Sequence, residues 1–376
     1  MLLVYFLCSN LFLDIELARG FRLTEVSWWI LILVVLLYAI IIRIKMFYRL
    51  SLRVIIVLLS LILRTRSIWV FYFMYEIIFI FIIFSIIILG YRFERLSALY
   101  LIIFYSFLFS SPCLAIFLVR ENIFLIKNWL IYDICILYFL IASFMVKFPI
   151  FGFHYWLPVA HVEASTLGRI LLAGILLKIG GVGIYYMVIY YRVIVKFHWL
   201  VLSVLFVRIL ILRLRDLKSI IAYSSIAHIS IVFYVLNIGR FIAKKGVLII
   251  IFYHGFISPI IFWIIGRLGW WKTRSLLVLK LLSFSYSFLL IVFFISIINI
   301  GFPPFIGFLR ELLLLKSLVN LQWVIIIAVA RVLLRCYYNI YYCWAFISQR
   351  GWVRKFRVRR IDVYLFVILV VFLNFY

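Results

Sequence analysis

Residues 169–192 read RILLAGILLKIGGVGIYYMVIYYR, an apolar run bounded by arginines and interrupted by one charge, Lys178. Eight uncharged residues separate Lys178 from Arg169, and thirteen separate it from Arg192. A helix of about 20 mostly apolar residues crosses the hydrocarbon core of a bilayer. The run is long enough to span, and its lysine lies too deep to snorkel to either interface. The glycines of KIGGVG lack the preceding strand, the helix-opening position and the downstream acid of a dinucleotide fingerprint. They read instead as positions where helices pack closely.

Apolar runs of similar kind recur at 26–42, 96–119, 246–266 and 363–375. With 69% hydrophobic residues and a mean hydropathy of +1.31 over 376 residues, the chain carries more apolar surface than a soluble core of this size can bury. The expected fold class is an all-α integral membrane protein, one transmembrane domain over 1–376. It would have about 13 or 14 transmembrane helices, near 1–17, 26–44, 51–63, 67–89, 96–119, 129–157, 168–191, 198–213, 217–238, 246–268, 281–300, 304–318, 321–347 and 361–376. The start, residues 1–13, has neither a basic leader nor a small-residue cleavage site, so it reads as a first span.

The formal charge of +27 would suggest nucleic acid in a soluble protein. Here the basic residues cluster between apolar runs, at Arg43–Arg53, Arg64 and Arg66, Arg213–Lys218, Lys272 and Arg274, and Arg350–Arg360. Positive loops orient helices and attract anionic lipids, and no soluble domain remains to bind nucleic acid. Cysteines 8, 113, 135, 336 and 343 show no C-x-x-C spacing and mostly lie inside apolar runs, so no zinc or iron–sulfur site is expected. His154, His161 and Glu163 do not form H-E-x-x-H, which argues against a metal. An abundance of Phe (39) and Tyr (25) beside few Gly (16) suits an AT-rich, organelle-type genome.

Two short segments echo each other: KFPIFGF at 147–153 and GFPPFIGF at 301–308. Both are apolar stretches broken by Pro and Gly, and each lies beside an ionisable residue, Lys147 and Glu311. Transporters built from inverted repeats place broken helices at matching positions, flanking the ion path. Proline kinks that serve packing alone are the plain alternative.

Charged side chains deep in a bilayer are costly and usually line water or meet a partner. Lys147 is nearly as isolated as Lys178, since no formal charge occurs from 134 to 146 or again until Glu163. Burial disfavours the charged form of a lysine and a nearby carboxylate restores it, so such a lysine can exchange protons as its pairing changes. A static ion-paired lysine that fixes packing is the alternative. Glu76, in SIWVFYFMYEIIFIFIIFSIIIL (67–89), is mid-membrane by position. Glu94 stands between Arg92 and Arg95 at the start of an apolar run, and by spacing alone it is a helix-start acid favoured by the dipole. His254, central in GVLIIIFYHGFISPIIFWIIG (246–266), can pass a proton between its two nitrogens or serve as a hydrogen-bonded core residue. Glu311 has Arg310 and Lys316 close by, so a local salt bridge is also open there.

The segment MVKFPIFGFHYWLPVAHVEASTLGRILLAGILLKIGGVGIYY (145–186) closely resembles the most diagnostic part of the subunit 4 family of mitochondrial NADH dehydrogenase, respiratory complex I. FYFMYE, ERLSALYLIIFYSFLFSSP, DLKSIIAYSSIAHIS, HGFISPIIFW and GFPPFIGFLREL are further matches in the family's order, together spanning about residues 71–312. What the resemblance implies is an antiporter-like subunit with two inverted five-helix repeats and two broken helices in the proton-pumping arm.

By motif, Glu94 and Lys147 look like the carboxylate and lysine of the first half-channel, Lys178 the central lysine, His254 the bridging histidine and Glu311 the terminal acid. On this point the resemblance overrides the spacing-based reading of Glu94. Glu76, His161, Glu163, Lys218 and His228 are secondary members of the site. An acid rather than a lysine at the last position favours subunit 4 over its antiporter-like relatives. Four residues depart from the family: Ser165 replaces proline, Arg169 a small polar residue, Val182 an aromatic and Arg310 a glycine.

The resemblance further implies a place in the mitochondrial inner membrane, or alternatively a bacterial plasma membrane. Neighbouring complex I membrane-arm subunits, antiporter-like ones included, and lipids would be the partners. Flavin, iron–sulfur clusters and quinone would belong to partner subunits, with no cofactor in this chain. A cation/proton antiporter subunit and a proton-inactive scaffold of a reduced complex remain the alternative functions.

Overall fold

A computed structural model describes residues 15–18, 21–23, 68–88, 93–122, 129–190, 199–238, 241–268, 282–284, 286–303, 305–318, 322–347 and 353–356, with helical positions between 54 and 62. The described part is overwhelmingly helical. Its helices are α1 (Ile68–Ile88), α2 (Phe93–Asn122), α3 (Trp129–Lys147), α4 (Trp156–Glu163), α5 (Thr166–Leu171), α6 (Leu177–Tyr190), α7 (Trp199–Arg213), α8 (Leu217–Ile238), α9 (Phe241–Leu268), α10 (Tyr286–Ile300), α11 (Ile306–Leu318) and α12 (Gln322–Ile347). A single π-helical segment, Leu172–Leu176, joins α5 to α6.

Two small ladders accompany the helices. Strand β1 (Ile15–Ala18) pairs antiparallel with β2 (Phe21–Leu23), and β3 (Leu282–Phe284) pairs parallel with β4 (Val353–Phe356). The expected helix at 281–300 accordingly starts at Tyr286, because the ladder takes the backbone groups just before it. The end of the expected helix at 1–17 likewise falls on β1. The spans expected at 26–44 and 361–376 lie outside the described residues.

Among the described residues, four helical stretches are long and apolar enough to cross a membrane: Leu96–Ala115, Thr166–Val188, Leu217–Ile238 and Ala243–Gly266. Shorter apolar helices run over Val70–Phe84, Leu137–Lys147 and Phe288–Ile300. Burial separates their roles. Thr166–Val188 is 89% buried and Leu217–Ile238 is 94% buried, whereas Leu96–Ala115 is only 28% buried. The two buried helices form the centre, and the apolar outer faces of α2 and α12, with Phe107 and Leu333 exposed, are what lipid solvates.

Close packing at the centre depends on glycines. A Cβ on Gly183 would come within 2.4 Å of the Phe144 ring, and one on Gly180 within 3.0 Å of the Tyr75 hydroxyl. The KIGGVG glycines thus let α6 approach α1 and α3.

Both Pro/Gly segments break helices. The first break follows Lys147, the last residue of α3, and turns through Gly152 at φ 106°. Trp156 donates from Nε1 to the Val146 carbonyl at 2.9 Å, satisfying one carbonyl that the interrupted helix frees. Chain direction is reset a second time at Ser165, whose side chain accepts from Gly168 N at 3.2 Å and N-caps α5. A capping serine therefore stands at the position where the family resemblance implies proline. The second break separates α10 from α11 through Gly301 at φ 84°. A left-handed residue there is accessible to glycine without strain.

Candidate functional site

Among the described residues, three groups of ionisable side chains lie in the interior. The first is an ion pair between Glu76 on α1 and Lys147 at the end of α3. Lys147 Nζ also sits 5.2 Å, 4.9 Å and 5.3 Å from the ring centroids of Tyr72, Tyr75 and Phe79. These residues recur every three or four positions with Glu76, so one face of α1 offers a carboxylate set among aromatic rings. Cation–π attraction and the ion pair together hold a buried ammonium that neither the bilayer nor an apolar core would tolerate alone.

Lys147 meets Glu76, the acid that position had marked as mid-membrane. Glu94 opens α2 at its second residue, where spacing placed it, and its side chain lies outside the described part. The Glu76–Lys147 pair rests on the approach of α1 to α3, which spacing alone does not reveal.

The second group surrounds Lys178. Its Nζ donates to the Ala173 carbonyl at 2.6 Å and lies 2.9 Å from His254 Nδ1. Ala173 belongs to the π-helical segment, where the wider turn leaves carbonyls free to accept from a side chain. Lys178 is 2% exposed and His254 is 9% exposed. His228, on α8, has its ring centroid 5.7 Å from that of His254. Beyond it, Arg208 Nη2 on α7 lies 3.4 Å from His228 Nε2. A guanidinium only donates, so His228 Nε2 is the acceptor and the neutral ring carries its proton on Nδ1.

A cavity of about 10 Å³ is bordered by Phe148, Lys178, His228 and His254, roughly the space of one water. It lies next to the residue that follows Lys147. Tyr75 links the first two groups more directly: its ring faces Lys147, and its hydroxyl donates to the Leu176 carbonyl at 3.1 Å, two residues before Lys178.

The third group centres on Glu311 in α11. Its partners are Arg331 and Arg335, one turn apart on α12, with Arg335 Nη1 to Oε1 at 2.6 Å. Arg310 Nε is 3.6 Å from the same carboxylate, while its guanidinium stacks 4.2 Å from the Tyr253 ring centroid. Arg335 and Arg310 also donate to the Asn299 carbonyl near the end of α10. The second break is thereby clasped from both sides. The local pairing expected from Arg310 exists, but the principal partners come from another helix.

The remaining sequence candidates are dispersed. His161 is fully buried against Phe262, ring centroids 4.5 Å apart, and neither ring nitrogen has a hydrogen-bond partner among the described residues. Lys218 donates to the Val162 carbonyl at 3.2 Å, holding the start of α8 to α4. Glu163 ends α4 and is half-buried. Of the departures, Arg169 donates to the Ala164 carbonyl at 2.8 Å, beside the Ser165 cap. Sequence reasoning missed Tyr72, Tyr75, Arg208, Arg331 and Arg335. The two arginines in AVARVLLRCYY, four apart inside an apolar helix, were a readable signal.

Residues 65–335 match the family described as NADH:quinone oxidoreductase/Mrp antiporter, transmembrane part. The chain belongs to this family. Among relatives, it is 33% identical over 349 residues to the NADH-ubiquinone oxidoreductase chain 4 of Ceratitis capitata, covering 86% of this chain and 77% of the relative. It is 37% identical over 276 residues to the chain 4 of Locusta migratoria, covering 66% and 60%. The fold is also that of a chain in the respiratory complex I of Thermus thermophilus, with a TM-score of 0.74 at 19% identity and coverage of 99% and 88%. A chain of the Mrp complex from Dietzia matches with a TM-score of 0.73 at 17% identity, covering 88% of this chain and 67% of that one. NADH:quinone oxidoreductase/Mrp antiporter membership accords with the helical architecture described above.

Proposed function

We propose that this chain is a proton-translocating membrane-arm subunit of an NADH:ubiquinone oxidoreductase, sited in the mitochondrial inner membrane. The observation that carries the reading is the succession of buried ionisable groups: Glu76–Lys147, then Lys178–His254–His228, then Glu311 with its arginines. Family membership and identity to chain 4 relatives support it. The chain carries no redox step in this account; flavin, iron–sulfur clusters and quinone belong to partner subunits, and antiporter-like subunits are its neighbours.

In the proposed mechanism, electrostatic changes arriving from the redox-active part weaken or strengthen the Glu76–Lys147 pair. The field at Lys178 changes through Tyr75 and the shared cavity. A Lys178 ammonium donates to unprotonated His254 Nδ1, and that hydrogen bond can carry the proton across. Moving a proton against about 100 mV requires roughly 2.3 kcal/mol, comparable to a shift of under two pKa units, so modest changes in pairing suffice. Glu94 remains a candidate for the entry side.

Purification of the native assembly containing this chain, followed by assay, tests the reading. Rotenone-type-inhibitor-sensitive NADH:quinone activity coupled to proton uptake is expected. An assembly without that activity that exchanges sodium for protons would instead support the antiporter alternative.

A further inference from the structure

Among the described residues, the second half of the chain buries four arginines in the neighbourhood of one carboxylate. Arg208, Arg310, Arg331 and Arg335 are each no more than 1% exposed. Between Asp216 and Asp362 the chain has a single acidic residue, Glu311. That carboxylate meets Arg331, Arg335 and Arg310. Arg208 approaches from α7, 5.1 Å from the ring centroid of Tyr338, which follows Arg335 by one turn on α12. Three guanidiniums thus share one carboxylate, and Arg208 adjoins them through Tyr338 on the same helix as Arg331 and Arg335. Among the described residues, three of these positive charges remain after Glu311 is counted, and one bound monovalent anion offsets one of them.

The hydrogen bonding is incomplete in the same sense. Arg208 Nε and Nη1, Arg331 Nε and Nη1, Arg335 Nε and the Tyr338 hydroxyl are buried without hydrogen-bond partners among the described residues. Guanidinium groups offer donors only and stay protonated, so whatever satisfies them must accept. Water can accept those bonds but leaves the charge, and an uncompensated buried ion is strongly destabilising. An acceptor that is also negative would satisfy these donors and offset part of the charge. Space of about 10 Å³ borders Arg331 between α7, α8 and α12. Its other walls include Val204, Ile231 and Ile327, which favour one small, weakly hydrated occupant over a bulky or multiply charged one.

We propose that the cluster of Arg208, Arg310, Arg331 and Arg335 binds a small monovalent inorganic anion of the chloride class. The site is independent of whether the chain moves protons. Because Arg208 touches His228, an anion there also sets the field at that end of the Lys178 group.

The test uses the intact complex exchanged into gluconate at constant ionic strength and titrated with chloride or bromide. A saturable rise in the thermal midpoint is expected, as for any ligand of the folded state. Arg208→Gln should raise the half-saturating concentration on the order of tenfold, the scale of one lost charged hydrogen bond. Glu311→Gln should lower it, because the cluster then lacks its internal counter-ion. Anomalous diffraction from bromide-soaked crystals of the unmodified complex should place a peak among the four guanidiniums. Equal midpoints in chloride and gluconate, a dependence that neither variant moves, or no bromide peak at saturation would each overturn the proposal; in that case the balancing charge comes from a neighbouring subunit.

Discussion

Lys178 Nζ and His254 Nδ1 stand 2.9 Å apart, on helices whose cores are otherwise apolar. Either group can hold the proton of that bond, since the ammonium donates to an unprotonated Nδ1 and the neutral amine accepts from an Nδ1–H. The Ala173 carbonyl, at 2.6 Å, aims the amine toward the histidine in both states.

A double-mutant cycle on this pair should report direct coupling. Lys178→Met and His254→Leu, alone and together, are expected to show a non-additive term of about 0.5–3 kcal/mol in the stability of the complex. Additive effects would mean that the two side chains do not share a bond.

Glu76 and Glu94 can be separated by substitution. Glu76→Gln leaves Lys147 as a buried cation without its carboxylate, a change of roughly 3–5 kcal/mol. Glu94→Gln, at a helix start, should cost about 1 kcal/mol or less. Thermal unfolding of the assembled complex measures both, and a larger effect at Glu94 would contradict the pairing.

The isolation of a charge in sequence located Lys147, Lys178, His254 and Glu76, because a lone ionisable residue in a span-length run has few ordinary explanations. Both broken helices were legible too, since Pro and Gly act locally through backbone geometry. Partners were not legible. That Lys147 meets Glu76 follows from the approach of α1 to α3, which no spacing shows, while the Glu94 side chain lies outside the described part. The arginines of α12 were read past for a related reason: within one helix they look like two stray cations, and their meaning comes from Glu311 on α11.

Gly183 offers a test of packing free of charge effects. Gly183→Ala drives a methyl group into the Phe144 ring, and overpacking of this kind costs about 1–3 kcal/mol. A lowered thermal midpoint with unchanged NADH oxidation by the surviving complex is expected. Substituting Phe144 by Leu in the same chain should restore part of the loss.

At the second break, Glu311→Gln should destabilise the complex by roughly 3–5 kcal/mol, since Arg331 and Arg335 lose a shared carboxylate. Arg310→Met should do less, because Glu311 keeps both nearer partners. Comparable losses in the two variants, read from assembly yield and thermal midpoint, would contradict the clasp.

The proton-to-electron ratio of the reconstituted complex carrying Lys178→Met is the most direct measurement. If the buried row conducts, the ratio falls by the share this subunit contributes, while uncoupled electron transfer from NADH to quinone persists. A ratio equal to that of the unmodified complex would show that protons do not pass through Lys178, leaving the chain a scaffold.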